Sequence, residues 1–400
     1  MRIDRAGNKG LIREINEALV LAELRGEALH SRADIARSTG LSGPTVTAIT
    51  SRLIDRGLVE ERATGTSAGG RPPVLLGLRP RAGYVVGIKL TENQAIGVLT
   101  DLDANVVARA DAALEFPTPG AVVAGIVSAV EALAPAGHGR ILGVGLGMGG
   151  VIDRDEGSVR HATYFDWHNE PLAKRLSEAI GLPVLIDNDV NALVASEQSW
   201  GAGRGVKNFA VVTIGRGVGM GMVLDGRLFR GSRGGAGELG HMKVVPEGPQ
   251  CECGGRGCLE AVIGEPALLV SLAGELGRPV TVDEGGTMAR DGDQRAAHVF
   301  AEAGQHLGRA VGNVVNILNP DRLLLAGEGT HNLDLIMPAF RRALNETVFD
   351  GLQDGLSIHA EAWDDEAWAR GAASLLLNEL FEPNLRLNSD EPTLIGRSAG

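Results

Sequence analysis

Gly237-Glu-Leu-Gly-His241, followed by Cys251-Glu-Cys-Gly-Gly-Arg-Gly-Cys-Leu-Glu260, is the most specific stretch of this chain. All three cysteines of its 400 residues fall within positions 251–258, and His241 stands just upstream of them. Thiolates at C-x-C and C-x4-C spacing plus one imidazole complete the four-ligand set that structural zinc requires: His241, Cys251, Cys253 and Cys258. The Gly-Gly-Arg-Gly between the last two cysteines lets the backbone fold tightly around a metal, since glycine carries no Cβ. The alternative is three buried thiols beside a surface histidine, and core cysteines rarely cluster so densely. Glu238 and Glu260 flank the ligands, so the metal would brace a polar site on both sides.

Outward from this stretch, apolar strands alternate with helical segments. Tyr84–Leu90 and Ala95–Leu102 read as strand, turn and strand, and Ile141–Leu146 and Val184–Ile186 as further strands. Helices are expected at Ala121–Leu133 and Pro171–Ile180, which makes an α/β body with helices on a mixed sheet. Asp189 follows a strand and opens a helix over Val190–Ser199, where the helix dipole would keep its carboxylate ionised. On spacing alone, Asp189 serves equally well as a helix cap. Leu272–Gln294 reads as a helical excursion with a turn at Asp283-Glu-Gly-Gly286, and no internal repeat is evident.

These motifs together resemble the ROK family, named for its repressors, open reading frames and kinases. G-E-L-G-H followed by C-x-C-G-x-x-G-C-L-E is its zinc motif. Gly143-Val-Gly-Leu-Gly-Met-Gly-Gly-Val-Ile-Asp153 resembles its glycine-rich strand and turn, with Gly149 where proline is usual. Asn188-Asp-Val-Asn191 resembles its active-site N-D-x-N, and Thr213-Ile-Gly-Arg-Gly-Val-Gly219 its G-T-G-x-G phosphate loop. The match runs from about Tyr84 to about Leu380 and implies the two-lobed ribonuclease-H-like fold of actin and sugar kinases, with the ligand between the lobes. In ROK kinases the residue matching Asp189 is the general base, and those matching Asn188, Glu238, His241 and Glu260 bind the sugar. Carboxylates and an amide on one cleft suit a polyol, which offers several donors and acceptors. Zinc would hold His241 through one ring nitrogen while the other faces the sugar.

The phosphate-handling parts depart from the family. Phosphoryl transfer needs backbone amides and magnesium around the phosphates. Lys89 stands at the family's aspartate, Thr91-Glu92-Asn93 at its G-G-T, and Arg216 at the threonine of G-T-G-x-G. Leu325-Ala-Gly-Glu-Gly329 resembles the adenosine-side G-G motif but begins Ala-Gly. These departures argue that ATP is not used and that Asp189 is a vestigial base. Lys89 and Arg216 could still bind an acidic ligand such as a sugar phosphate. They could also be plain salt-bridge residues in a disused loop.

Ahead of this body, Leu11–Leu24 carries a helical stripe, and Ser31 caps a short helix ending at Ser38, with Ala33, Ile35 and Ala36 facing inward. After Thr39-Gly-Leu41, a third helix opens at Ser42 with Pro44 in its first turn. Val46, Ile49, Leu53 and Ile54 form its apolar face. Ser42, Thr45, Thr47, Ala48 and Ser51 look outward, with Arg52 on the flank. Gly57–Glu61 and Val74–Leu78 read as two strands around a glycine-rich tip, Thr64–Pro73, carrying Arg71. This is a winged helix-turn-helix in which the third helix reads DNA and Arg71 contacts a phosphate or minor groove. A protein-binding helical module is the rival reading. Family repressors carry such a head, and A-G-G-R-P-P resembles their wing.

The net charge is −12, which by itself opposes nucleic-acid binding. Residues 1–80, however, hold 12 basic against 9 acidic residues, and the remainder 26 against 41. A mildly basic head on an acidic body permits DNA contact at one end only. No uninterrupted apolar run approaches the ~20 residues of a bilayer span, the N-terminus lacks a signal-peptide core, and free thiols suit a reducing interior. The expectation is therefore a cytoplasmic protein with no membrane partner. Its domains are a winged helix-turn-helix at 1–80, a two-lobed ROK domain at 81–382 and a loosely ordered tail at 383–400. It would act as a sugar-responsive regulator, most simply a repressor, binding a roughly palindromic operator as a homodimer or dimer of dimers. The alternatives are an ATP-dependent hexose kinase that kept a DNA-binding head, and a regulator controlled by a protein partner.

Overall fold

The computed structural model describes residues 9–26, 28–64, 72–138 and 140–381. The wing tip with Arg71 and the tail from Pro383 lie outside the described residues. The head comprises α1 (Lys9–Glu23), β1 (His30–Ser31), α2 (Arg32–Thr39), α3 (Gly43–Asp55), β2 (Val59–Thr64) and β3 (Val74–Leu78). Ser31 and Asp34 form a reciprocal capping box on α2, and Ser42 caps α3 by accepting from the Thr45 amide. Val46, Ile49 and Leu53 are buried as expected, joined by Thr50, whose hydroxyl donates to the Val46 carbonyl at 2.9 Å. Ala33, expected inward, is exposed: α2 is only eight residues long and Ile35 is its fully buried member. The strands form an antiparallel sheet in the order β1-β3-β2. Two-residue β1 escaped the sequence reading because it is too short to carry a pattern.

The first lobe contains β4 (Tyr84–Leu90), β5 (Gln94–Asp101), β6 (Val106–Ala113), α4 (Pro119–Leu133), β7 (Ile141–Met148), β8 (Val151–Asp153), β9 (Ser158–Ala162), β10 (Trp167–Glu170), α5 (Leu172–Ile180) and β11 (Val184–Asn188). A connecting helix, α6 (Asp189–Trp200), leads to the second lobe. There follow β12 (Phe209–Ile214), β13 (Val218–Leu224), β14 (Arg227–Leu228), α7 (Glu260–Ile263), α8 (Glu265–Leu276), α9 (Val282–Arg290), α10 (Gln294–Leu318), β15 (Arg322–Ala326), α11 (Leu333–Thr347) and β16 (Ser357–Ala360). Asp283–Gly286, expected as a turn, lies inside α9, where a Thr281/Glu284 capping box starts the helix.

The two central sheets have one plan. Their strand orders are β6-β5-β4-β7-β11 and β14-β13-β12-β15-β16. In each, three successive strands run antiparallel, and two more add parallel beside the first. The repeat that the sequence hides is thus present as topology. This is the ribonuclease-H-like, actin-like architecture, with α6 passing between its halves.

The last described helix, α12 (Asp365–Phe381), returns to lie on the first lobe. Its close approach needs glycine beneath it: a Cβ at Gly87 would sit 2.0 Å from the Ala369 carbonyl oxygen, and one at Gly145 1.9 Å from that of Ala372. The far end of α12 joins the head. Leu376, Leu377, Leu380 and Phe381 share one apolar cluster with Val20, Leu21 and Leu24 of α1 and Leu76 of β3.

Pro119–Gly137 is 19 residues with mean hydropathy 1.6, long and apolar enough to cross a membrane by length and composition, although Ser128 and Glu131 interrupt its apolar run. Its apolar side chains have another use. Val122, Ile126, Ala129, Val130 and Leu133 are buried in the first-lobe core.

Candidate functional site

Asn188 and Asp189 sit where β11 passes into α6. Asn188 is the cap: its Oδ1 accepts from the amides of Val190 (2.9 Å) and Asn191 (3.3 Å), and its Nδ2 donates to the Gly150 carbonyl at 3.1 Å. The glycine turn after β7 therefore fixes the amide's orientation. Asp189 is left to face the cleft. Enclosure strips its carboxylate of water and pushes its pKa up from the ordinary value, against the pull of the Val190 amide and Lys89.

The second lobe contributes the Gly237–His241 loop. Its two glycines let it press on β13: a Cβ at Gly237 or Gly240 would lie 1.9 or 2.1 Å from a β13 carbonyl oxygen. Glu238 and His241 project together, His241 Nε2 lying 3.8 Å from Glu238 Oε2. Withdrawal of solvent pushes the Glu238 pKa up; His241 opposes this and Glu260 and Asp189 add to it. That mutual repulsion means three carboxylates from three elements converge. Glu260, at the start of α7, accepts from the Val218 amide at 3.0 Å. Asp189, Glu238, His241 and Glu260 are brought within electrostatic reach of one another, with Asn188 beside Asp189.

The other ring nitrogen, His241 Nδ1, lies 3.6 Å from Cys251 Sγ, and the sulfurs of Cys253 and Cys258 are 3.7 Å apart. One atom from each of the four residues falls within 4.8 Å of the others. A tetrahedral site with metal–sulfur and metal–nitrogen bonds of about 2.3 and 2.0 Å has edges of roughly 3.5–3.8 Å, so the set could hold a metal ion. Burial pushes the Cys251 thiol up to about 12, a penalty that a divalent cation on the thiolate would offset. Lys243, which the sequence reading passed over, donates from Nζ to Cys258 Sγ at 2.7 Å.

The loops that carry Lys89 and Arg216 hold ion pairs. Lys89 Nζ reaches Asp365 Oδ1 at 2.9 Å and Glu328 Oε1 at 3.3 Å. Arg216 reaches Glu92 Oε1 at 2.9 Å and Glu252 Oε2 at 3.5 Å. Thr91 closes the β4–β5 turn through Asn93 Oδ1 (3.0 Å) and the Gln94 carbonyl. Glu328 and Asp365 were invisible in the sequence because they come from segments 239 and 276 residues beyond Lys89. A further cross-lobe contact was also missed. Fully buried Asp187 accepts from Arg230 Nε at 2.6 Å, and from Asn191 Nδ2 at 3.1 Å.

In the head, Ser42, Thr47, Ala48 and Ser51 are exposed on α3, and Thr45 is half-buried with its hydroxyl 2.8 Å from that of Ser42. Arg52 turns back instead: its Nε and Nη2 donate to Glu17 Oε1 of α1 at 3.1 and 2.9 Å.

Residues 85–379 match the model of the ROK family, and residues 15–60 that of a winged helix-turn-helix DNA-binding domain. The chain belongs to the ROK family. A putative xylose repressor of Caldicellulosiruptor sp. (strain Rt8B.4) is 30% identical over 393 residues, covering 94% of this chain and 98% of that one. Among solved structures, a ROK family transcriptional regulator described as a homologue of the E. coli MLC protein superposes with a TM-score of 0.83, at 26% identity, over 94% of this chain and 98% of its own. A ROK family glucokinase from Streptomyces griseus, in complex with glucose and AMPPNP, matches with a TM-score of 0.64 at 27% identity, over 73% of this chain and 99% of its own. The regulator match takes in the head as well as the ROK body, and the kinase match covers about as much of the chain as the ROK body alone.

Proposed function

We propose that this ROK protein is a sugar-gated DNA-binding repressor acting in the cytoplasm, and that it is not an enzyme. The observation that carries the reading is one cleft lined by Asn188, Asp189, Glu238, His241 and Glu260, in a chain whose head joins the body through a shared core. Zinc on His241, Cys251, Cys253 and Cys258 holds the His241 ring so that Nε2 faces the sugar. Ser42, Thr45, Thr47, Ala48 and Ser51 of α3 face the major groove, and two copies of the chain read the two halves of an operator. Arg52, held on Glu17, acts by fixing α1 against α3.

Helix α6 gives the sugar a route to the head. Asn188 and Asp189 stand at its start, and at its end Ser199 Oγ donates to Asn378 Oδ1 at 2.7 Å. Arg25, just after α1, donates to the same oxygen at 3.2 Å and lies 4.8 Å over the Trp200 ring and 4.9 Å over that of Phe381. A sugar that binds two lobe arrangements with different affinity would shift α6 and α12, and with them the head.

ATP chemistry fits poorly. A carboxylate-paired lysine and arginine occupy the ground where amides and magnesium must hold phosphates, and Glu260 takes the Val218 amide. The likeness to a glucose-bound kinase keeps a kinase reading testable: sugar phosphorylation that Asp189→Asn abolishes would establish it. The primary test is binding of the protein to its own upstream DNA, titrated with hexoses, pentoses and amino sugars. Loss of the complex with one sugar is expected; firm binding indifferent to every sugar would transfer control to a protein partner.

A further inference from the structure

Lys89 and Arg216 cross the cleft in opposite senses. Lys89 rises from the first-lobe strand β4 to Glu328, in the second-lobe loop after β15, and to Asp365 at the start of α12; its Nζ lies 5.0 Å over the Trp368 ring. Arg216 leaves the second-lobe turn between β12 and β13 for Glu92 of the first lobe and lies 4.5 Å over the Tyr164 ring. Its second partner, Glu252, stands between two of the metal-binding cysteines. Glu328 also approaches the turn that carries Arg216: a Cβ at Gly215 would sit 2.4 Å from Glu328 Oε2. Two cations are thus shared among four carboxylates from both lobes, leaving an excess of two negative charges over the space where phosphates would lie.

We propose that these crossed ion pairs form a seal that reserves the cleft for an uncharged sugar and rejects phosphorylated ones, with Lys89 and Arg216 as specificity-determining residues. This rests on the sugar-gated reading above. Lys89 is enclosed, with 12% of its side chain exposed, whereas the Arg216 pair is about half exposed. Pairs so exposed add little stability. Discrimination comes from the surplus of carboxylates. A phosphate monoester carries roughly −1.5 to −2 charges at neutral pH. To reach either cation it must displace one carboxylate and remain beside another, with Asp189, Glu238 and Glu260 further in. Other arginines offer no substitute: Arg109, which feels Asp365, is paired with Asp111, Arg154 and Arg230 are ion-paired with Asp187, and Arg154 also with Glu379. A neutral polyol displaces nothing. Specificity built from repulsion of the wrong ligand is the economical form here.

The test is calorimetry on the full-length, zinc-replete protein with four probes: glucose against glucose 6-phosphate, N-acetylglucosamine against its 6-phosphate, xylose against xylose 1-phosphate, and pyrophosphate alone. For the sugar that binds, the neutral member is expected to be tighter by about tenfold or more, and pyrophosphate should give no binding. Freeing Arg216 in E92Q/E252Q/E328Q, which leaves Lys89 on Asp365 alone and is checked for folding by circular dichroism, should create pyrophosphate binding that a further Arg216→Ala removes. A wild-type preference for a phosphorylated sugar, or wild-type pyrophosphate binding that Arg216→Ala abolishes, would overturn the seal while leaving sugar control intact. Silence of every sugar with the pyrophosphate results as expected would support the seal and defeat the sugar reading instead.

Discussion

At Cys253 and Asp189, single side chains carry opposite obligations. Cys253 would stabilise the second lobe through a metal ion held with His241, Cys251 and Cys258, since metal binding energy is folding energy. The purified protein should hold one zinc per chain by atomic absorption. Cys253→Ser should lose most of it and melt several degrees lower, as should the parent after chelation. A variant that melts like the parent and retains zinc would remove the metal assignment. Asp189 works the other way. Its folded pKa lies above the ordinary 3.8 because the cleft desolvates it. The folded protein therefore keeps the proton after the unfolded chain has lost it, and stability falls as pH rises from 3.8 to the folded value, then stays lowered. Above that window, sugar-free Asp189→Asn should melt at or above the parent temperature while losing its sugar response, the familiar trade of function for stability. A lower melting temperature at neutral pH would show that the carboxylate is stabilising after all.

Among the elements, α12 and α6 matter most because each touches both the site and the head. Gly145 has the Ala372 carbonyl against it, so Gly145→Ala must push α12 off the sheet. Overpacking of this kind costs about 1–3 kcal/mol or more, and loss of the sugar response is expected along with a lower melting temperature. At the other end, Asn378 accepts from Ser199 and Arg25 and donates to the Ala195 carbonyl at 3.1 Å. Asn378→Ala should leave zinc content and sugar affinity near the parent values but reduce the shift in operator affinity that sugar produces. Undiminished coupling in that variant would take α6 out of the signalling route. The head was readable element by element, since caps and an apolar stripe are local properties: Ser31, Ser42, Val46, Ile49 and Leu53 all behave as their spacing requires. Arg52 was not readable, because a surface position on a helix says nothing about an acid on the neighbouring one, here Glu17.

For the whole molecule, the plan is a duplicated sheet with a DNA-binding head fastened to one half. Head and first lobe share a core, so a lobe movement moves the head rather than flexing a tether. With two copies on one operator, as proposed, the half-site spacing should therefore be fixed. Inserting about half a helical turn between half-sites, roughly 5 base pairs, should abolish binding; tolerance of the insertion would mean that the heads swing independently.

Sequence alone determined what depends on neighbours along the chain. The C-x-C and C-x4-C spacing with His241, the caps of the head and the Asn188-Asp189 step from strand to helix are all contiguous patterns. Their chemistry follows from residue type and spacing. Only the tertiary structure decided what depends on distance in space: that Lys89 and Arg216 are already spoken for across the cleft, that the Asp189 carboxylate is enclosed and its pKa pushed up, and that one sheet plan occurs twice without a sequence repeat. Coulomb energy, desolvation and strand pairing act between residues that packing brings together, and chain position does not record them.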